Sequence, residues 1–300
     1  MKNIKYDRNK RCLDIPSFIR LEVCRQCSEN CESSDRFLKL EWDIAKRIID
    51  QVIQMGISKV IILGDEPLLY ENLVDLISLF TKTHIQSEIY TSGFGLTEKL
   101  LTQMQDAGIN KIHIYLNGSC ARIHNLSRKY FEEAIYAIKL IKFHSMWCGV
   151  NWSARHDNLL DFENLVMLLY SMKVDTLTIF PDHHNIDEEM QSYLNDDEVE
   201  YLANLITPEL KIGWINVDFC YDALRRKFTG NNLPFIYRNC LVGRLFCDVL
   251  FDGSFQPCKY KTISSDKDNL SDYWNEDEGL RKFRHENHKC CVKIIKKHNR

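Results

Sequence analysis

The sequence predicts an α/β chain built from repeated strand–helix units. Six apolar, β-branched stretches recur along the first two thirds of the chain, and segments with helical periodicity separate them. Such units are typical of parallel βα architecture, either an incomplete (β/α) barrel or an open doubly wound sheet. In both folds, functional residues lie in loops at the carboxyl ends of the strands. The predicted strands span residues 18–23, 59–63, 87–90, 111–116, 148–152 and 176–180.

Each segment between these strands predicts an amphipathic helix. In residues 41–54, for example, Ile44, Ile48 and Val52 fall on one helical face. Gly56 and Gly108 follow two of the helices, at the position where a left-handed residue favours glycine. The other predicted helices span residues 73–80, 98–106, 131–143 and 161–171.

Composition excludes several classes of protein. Apolar residues make up 45% of the 300 residues, which excludes wholesale disorder. The formal charge of −3 gives no basic footprint for nucleic acid or for an anionic membrane. No apolar run reaches the length of a membrane span, and residues 1–17 lack the apolar centre of a signal peptide. We therefore expect a cytoplasmic chain with no nucleic-acid or membrane partner.

The pattern changes after residue 186. Residues 187–200 are acidic and polar, and a helix is predicted to follow through Ile206. Residues 245–251 and 254–256 predict a hairpin, because Asp252 and Gly253 between them are a strong turn signal. We therefore predict an N-terminal extension (1–16), a βα domain (17–186), a bridging region (187–234) and a small cysteine-rich domain (235–300).

Cysteines are the residues that indicate the chemistry of this chain. It has twelve, in a sequence without an export signal, where thiols are expected to stay reduced. Cys24, Cys27 and Cys31 lie within eight residues directly after the first predicted strand, so they can converge on an iron–sulfur cluster or another soft metal. Thiols grouped in this way also suit zinc, so a structural zinc protein stays an alternative. Burial is the expectation for the isolated Cys12, Cys120, Cys148 and Cys220.

These features together resemble the radical S-adenosylmethionine (SAM, also written AdoMet) superfamily, and in particular its SPASM/twitch branch, many of whose members modify ribosomally made peptides. In that family the first strand leads into CxxxCxxC, whose thiolates hold a [4Fe-4S] cluster that binds SAM. Cys27 and Cys31 match the first two of these cysteines. The resemblance implies a partial (β/α)6 TIM-like barrel followed by a small, cysteine-rich SPASM/twitch-like domain.

Further motifs extend the resemblance along the chain. The turn after the second strand reads GDEP where the family has GGEP, which holds the SAM amine; we name it the GDEP turn. His124 and Arg128 are spaced as in the family's H-D-x-x-R motif, whose arginine often reaches the SAM carboxylate. Polar residues follow or end the third, fourth and fifth strands, where similar motifs occur in the family. The residues that the resemblance assigns to SAM are Gly64, Asp65, Glu66, Pro67, Ser92, Asn117, Arg128 and Asn151.

The C-terminal spacing is similar to the opening of a SPASM domain. The pattern begins at Cys240, continues after twelve residues with Gly253 and ends after four further residues with Cys258. Beyond Cys258 the sequence contains only two more cysteines, which are adjacent, so the resemblance implies at most one auxiliary cluster. Its candidate ligands are Cys240, Cys258 and one of Cys290 or Cys291, with Cys247 as a further candidate.

Three positions depart from the family pattern. Ser34 stands in place of the third cysteine, and a neutral hydroxyl is a poor ligand for a soft metal. Ser33 replaces an aromatic residue that packs on adenine, and Asp65 replaces a glycine of the turn. Cys24 supplies a third thiol, but it gives the order CxxC then CxxxC, the reverse of the family's spacing.

The resemblance implies an iron–sulfur protein that modifies a ribosomally made peptide by 5′-deoxyadenosyl radical chemistry. The alternative is a pseudo-radical-SAM protein that does not cleave SAM and instead binds a precursor peptide or a partner maturase. The departure at Ser34 favours the alternative, whereas the third thiol at Cys24 favours the enzyme. The expected cofactors are SAM, one cluster at the N-terminal loop and at most one auxiliary cluster.

Overall fold

The fold is α/β, with strands that are mostly parallel, as the sequence predicts. The structure is a computed structural model. It describes residues 5–26, 37–181, 194–206, 214–218, 220–229, 241–258 and 262–286. None of the helices within these ranges is long and apolar enough to cross a membrane.

The elements follow the alternation that the sequence predicts. The strands are β1 (Tyr6–Asp7), β2 (Cys12–Leu13), β3 (Phe18–Gln26), β4 (Phe37–Lys39), β5 (Lys59–Gly64), β6 (Gln86–Thr91), β7 (Lys111–Tyr115), β8 (Cys148–Ala154), β9 (Thr176–Pro181), β10 (Ile215–Val217), β11 (Phe246–Val249) and β12 (Phe255–Gln256). The helices are α1 (Trp42–Met55), α2 (Leu73–Lys82), α3 (Glu98–Ala107), α4 (Ala121–His124), α5 (Phe131–Phe143), α6 (Phe162–Ser171), α7 (Asp196–Leu205), α8 (Asp222–Thr229), α9 (Leu270–Glu276) and α10 (Glu278–His285). Short 3₁₀ helices span Pro67–Leu69 and Leu159–Asp161.

Local signals fix where several elements end. Gly56 and Gly108 adopt φ values of 78° and 95° after α1 and α3, so both predicted left-handed helix ends are confirmed. Gly253 has a φ of 83° between β11 and β12, which pair antiparallel and confirm the predicted hairpin. The helix predicted to end at Ile206 is α7, whose capping box is built by Asn195 and Glu198.

The described residues form two compact units. The first contains those within 1–91, 95–112 and 242–287, and the second contains those within 92–94 and 113–241. The predicted domain boundaries at residues 16, 186 and 234 stay a prediction.

The first unit is organised around β3. Its strand order is β6-β5-β3-β11-β12, and β4 pairs with the end of β3. The neighbours β5 and β11 both run parallel to β3, so β3 is flanked on both sides. In the register with β11, Phe18 lies opposite Phe246 and their rings stack 4.7 Å apart.

The second unit has one apolar and one more polar sheet face. Its strands follow the order β10-β9-β8-β7, and successive side chains of a strand point to opposite faces. Trp152 of β8 lies on the apolar face and packs against Phe162 of α6, with ring centroids 5.0 Å apart. Asn151 and Ser153 lie on the opposite face, beside Thr178 and Phe180 of β9. The helix-covered face therefore forms the core, and the other carries polar groups.

A buried ion pair joins β3 to β11. Arg20 donates from Nε and Nη2 to the two carboxylate oxygens of Asp248, over 2.6 and 2.8 Å. The Asp248 side chain is only 3% exposed. This bidentate pair is therefore shielded from water, unlike the pair between Lys46 and Asp43, which lies on the surface.

We predict that Arg20→Met lowers the free energy of unfolding by about 3 kcal/mol, because buried Asp248 loses both charge-assisted bonds. Urea unfolding followed by circular dichroism measures the effect. The matched control is Lys46→Met, which breaks the exposed pair and should change stability by less than about 0.5 kcal/mol. Equal effects of the two variants would contradict the assignment.

Candidate functional site

The GDEP turn at the carboxyl end of β5 is held against the end of β3. The amide of Asp65 donates to the carbonyl oxygen of Cys24 over 3.1 Å. A Cβ at Gly64 would lie 2.5 Å from that oxygen and 2.9 Å from the Cys24 sulfur, so this approach requires glycine. Asp65 has a negative φ and an exposed side chain, so its Cβ is accommodated where the family has glycine.

Glu66 places a buried carboxylate in this turn. The residue is 6% exposed. Its Oε1 accepts the amide of Leu68 over 3.1 Å, which caps the 3₁₀ helix that follows. The same oxygen accepts the hydroxyl of Thr91 at the end of β6. Glu66 thereby ties together the ends of two neighbouring strands.

A β-bulge sets the position of Cys24. The register between β3 and β5 shifts between Glu22 and Cys24, so Cys24 faces Gly64. The residue is 1% exposed, and the amide of Glu66 donates a hydrogen bond to its sulfur. Burial, reinforced by the carboxylates of Asp65, Glu66 and Glu22, raises the pKa of the Cys24 thiol to about 12. The hydrogen bond from the Glu66 amide acts in the opposite direction on the pKa of Cys24, because it favours the thiolate.

In the second unit, Asn117 joins the loop after β7 to the end of β8. Its Nδ2 donates to the Ser127 hydroxyl over 2.8 Å, and its Oδ1 accepts the amide of Ser153 over 3.0 Å. The side chain is buried, and these bonds give it a role in shaping the loop. Contact between Asn117 and SAM stays a prediction.

Asn158 fastens the same loop by three bonds to backbone groups. Its Nδ2 donates to the carbonyls of Asn117 and Ser153, over 3.0 and 2.9 Å. Its Oδ1 accepts the amide of Arg155 over 2.9 Å. With 2% exposure, Asn158 satisfies buried backbone groups that water cannot reach.

His124 holds the segment that carries Arg128. Its Nδ1 accepts the amide of Asn117 over 3.1 Å, and its Nε2 donates to the carbonyl of Lys129 over 3.0 Å. These two roles require a neutral imidazole, and burial lowers the pKa of His124 accordingly. Arg128 lies over the ring of Tyr115 at the end of β7, with its guanidinium carbon 4.1 Å from the ring centroid. The loop thus places a half-buried cation at a strand end.

Asn151 lies fully buried in β8 and pairs with a histidine. Its Oδ1 is 3.3 Å from Nδ1 of His113 on β7, while its Nδ2 has no hydrogen-bond partner among the described residues. Sequence reasoning alone misses His113, although a polar residue inside an apolar strand marks it. Gly149 makes room for this pair, because a Cβ there would lie 2.7 Å from His113 Nδ1.

The remaining predicted SAM residue, Ser92, follows β6. Its hydroxyl accepts the amide of Phe94 over 3.2 Å, and the side chain is half-buried. This bond closes a local turn, as serine often does. A role of Ser92 in SAM binding stays a prediction.

Most of the predicted metal ligands lie outside the described residues. These are Cys27, Cys31, Cys240, Cys290 and Cys291, and the departures at Ser33 and Ser34 also fall there. Cys258 is described and is 4% exposed. Within the ranges that the structure describes, no group of three or more His, Cys, Asp or Glu residues could hold a metal ion.

The other cysteines divide by burial. Cys12 and Cys148 are buried as expected, whereas Cys120 is exposed and Cys220 is half-buried, so the expectation of burial is wrong for these two. Cys120 is exposed because it lies in the N-cap position of α4, at the surface of a loop. Cys247 is completely buried in β11, and burial raises the pKa of its thiol.

Comparison with known proteins identifies relatives of this chain. Residues 22–169 match the radical SAM superfamily. An AdoMet-dependent heme synthase of Oleidesulfovibrio alaskensis is 23% identical over 287 residues, an alignment that covers 87% of this chain and 73% of the relative. The matched family region begins within β3 and ends within α6, so it contains the GDEP turn, Arg128 and Asn151.

Solved structures share the fold. Streptococcus suis SuiB bound to its precursor peptide SuiA has a TM-score of 0.76 at 15% identity, covering 96% of this chain and 75% of SuiB. Native anSMEcpe with bound AdoMet and the Kp18Cys peptide has a TM-score of 0.65 at 15% identity, covering 89% of this chain and 82% of that protein. At these identities the likeness shows the fold and not the activity.

We predict that Asn158→Ala lowers the free energy of unfolding by about 2–3 kcal/mol, because three buried backbone groups lose their partner. Thermal or urea unfolding measures this loss. Asn164→Ala is the matched control, since Asn164 is exposed and makes one 3.4 Å contact with Asp161. A loss at Asn158 no larger than that at Asn164 would rule out the fastening role.

Proposed function

We propose that this chain is a radical SAM protein, since residues 22–169 match that superfamily, and that it binds SAM and acts in the modification of a ribosomally made peptide. The observation that carries SAM binding is the buried amide of Asn151, whose Nδ2 lacks a partner among the described residues. An unsatisfied buried donor costs about 1–3 kcal/mol, so a ligand that accepts its hydrogen bond gains affinity. SAM offers hydroxyl and carboxylate oxygens that can accept this bond.

His113 supports this assignment by fixing the orientation of Asn151. In the tautomer with the proton on Nδ1, His113 donates to Oδ1 of Asn151, and this orientation of the amide leaves Nδ2 available. A preset donor binds a ligand at a lower entropic cost than a mobile one. We therefore assign Asn151 to direct contact with SAM and His113 to positioning Asn151.

Arg128 is assigned to the carboxylate of SAM. Its guanidinium carbon is held 4.1 Å from the ring centroid of Tyr115, and His124 fixes the loop on which it lies. A guanidinium binds a carboxylate through paired, charge-assisted bonds. Because His124 is neutral, it adds no second cation beside Arg128.

The GDEP turn is assigned to the amine of SAM. Glu66 contributes a carboxylate that is already held in place by Leu68 and Thr91, so it can attract an ammonium without first becoming ordered. The exposed carboxylate of Asp65 adds negative charge to this turn. Asn117 and Ser92 complete the proposed set by shaping the loops after β7 and β6.

The family also uses an iron–sulfur cluster, which supplies the electron that splits SAM. Among the described residues the candidate ligand of this cluster is Cys24, whose sulfur is buried against Gly64 and would have to move to reach a cluster. Cys27 and Cys31 remain as proposed ligands, beside Ser34 in place of a third cysteine. An auxiliary cluster on Cys240, Cys258 and one of Cys290 or Cys291 is a separate proposal that rests on sequence spacing.

A peptide is the proposed partner. SuiB, which shares the fold over 96% of this chain, is bound to its precursor peptide, and anSMEcpe is bound to a peptide as well. The second candidate function keeps this partner but removes SAM cleavage, so that the chain would bind a precursor peptide or a partner maturase. Ser34 favours this second candidate, since a hydroxyl is a poor ligand for a soft metal.

SAM cleavage separates the two candidates. The purified chain is reconstituted anaerobically with iron and sulfide, reduced with dithionite and assayed for 5′-deoxyadenosine and methionine. Formation of both products establishes the radical enzyme. Tight SAM binding without products establishes the non-cleaving protein.

We predict that Asn151→Ala weakens SAM binding about tenfold, because the ligand loses a bond to a buried donor. Isothermal titration calorimetry measures the dissociation constant. Asn164→Ala, on the exposed face of α6, is the control and should bind SAM as the wild type does. If Asn151→Ala binds SAM with unchanged affinity, Asn151 is not a SAM contact.

A further inference from the structure

We propose that Cys24 is a positioning residue that fixes the GDEP turn, and that it is not the replacement ligand for the cysteine missing at Ser34. The inference deepens the proposed function and rests on it, since the turn is assigned to SAM. It is carried by three contacts of Cys24: one through its backbone, one through its sulfur and one through packing.

The backbone contact extends the pairing of β3 and β5 beyond the strands. After the bulge at Glu22 and Cys24, the Cys24 carbonyl receives the amide of Asp65 over 3.1 Å. The first peptide group of the turn is therefore bonded to β3. This contact is independent of the side chain, so it survives replacement of Cys24.

The sulfur contact holds the next peptide group. The amide of Glu66 donates to Sγ of Cys24, so consecutive amides of the turn are bonded to one residue. Packing completes the arrangement, because the sulfur occupies the space beside the Cα of Gly64, where a Cβ would lie 2.9 Å away. A residue at position 24 thus needs a small acceptor on its Cβ.

Ligation of iron would require this sulfur to leave its place. It would lose the hydrogen bond from the Glu66 amide. Moving it would also open a cavity against Gly64, since Cys24 is 1% exposed. The same residue cannot hold the turn and reach outward to a cluster.

The test compares Cys24→Ala and Cys24→Ser with Cys27→Ala in the full-length chain after anaerobic reconstitution. Iron and acid-labile sulfide are counted per chain, and hydrogen exchange is measured at the amides of Asp65 and Glu66. We expect Cys24→Ala to keep the wild-type iron content and to raise exchange at Glu66 about fivefold. Cys24→Ser should restore slow exchange at Glu66, because its hydroxyl is also an acceptor.

Cys148→Ala is the matched control, since Cys148 is also a buried thiol within a strand. It should leave exchange at the turn unchanged even where it lowers global stability. SAM affinity gives a second reading, with about a fivefold loss in Cys24→Ala and recovery in Cys24→Ser. If Cys24→Ala does not fold, the serine variant carries both the iron count and the exchange measurement.

The proposal is overturned if both Cys24 variants lose as much iron as Cys27→Ala, or if exchange at Glu66 is unchanged in Cys24→Ala. In a wild-type chain that takes up no iron, exchange at Glu66 decides the positioning role of Cys24. A chain that does not bind SAM contradicts the proposed function, whereas exchange at Asp65 and Glu66 still tests Cys24. The two failures are therefore distinguishable.

Discussion

The close approach of β3 and β5 is the constraint on which the first unit depends. Where Cys24 meets Gly64, no atom larger than hydrogen fits between the two backbones. The bulge in β3 makes this meeting occur in register, and it turns the following peptide groups toward β3. Glu66 then accepts the hydroxyl of Thr91, so the contact between Cys24 and Gly64 helps to position the ends of β3, β5 and β6.

The second unit holds polar side chains inside a buried sheet. One face of β8 packs Trp152 against α6, while the other holds Asn151 beside His113. A buried polar network is stable only when its members are satisfied, and here one amide hydrogen-bond donor is left over. This donor lies inside the sheet, where a ligand that accepts its hydrogen bond would complete the network.

Sequence patterns predict the alternation of strands and helices because periodicity and glycine signals are local. Gly56, Gly108 and Gly253 each end or turn an element as expected. The role of Cys24 could not be read in this way, because it depends on a bulge and on Gly64, forty residues away. His113 is similar, since its partner Asn151 is distant in sequence. Sequence spacing identifies cysteines and carboxylates as candidate site residues. Their burial and their contacts in the fold decide which role each side chain can take.

The placement of β11 has a consequence for synthesis of the chain. Arg20 of β3 and its partner Asp248 are 228 residues apart in sequence, and β11 is the parallel neighbour of β3. During translation, β3 can pair with β5 early, but its other edge stays unpaired until β11 has been synthesised. An open strand edge is a template for pairing between molecules. A nascent chain that is interrupted before β11 would therefore expose this edge of β3 and be prone to aggregation.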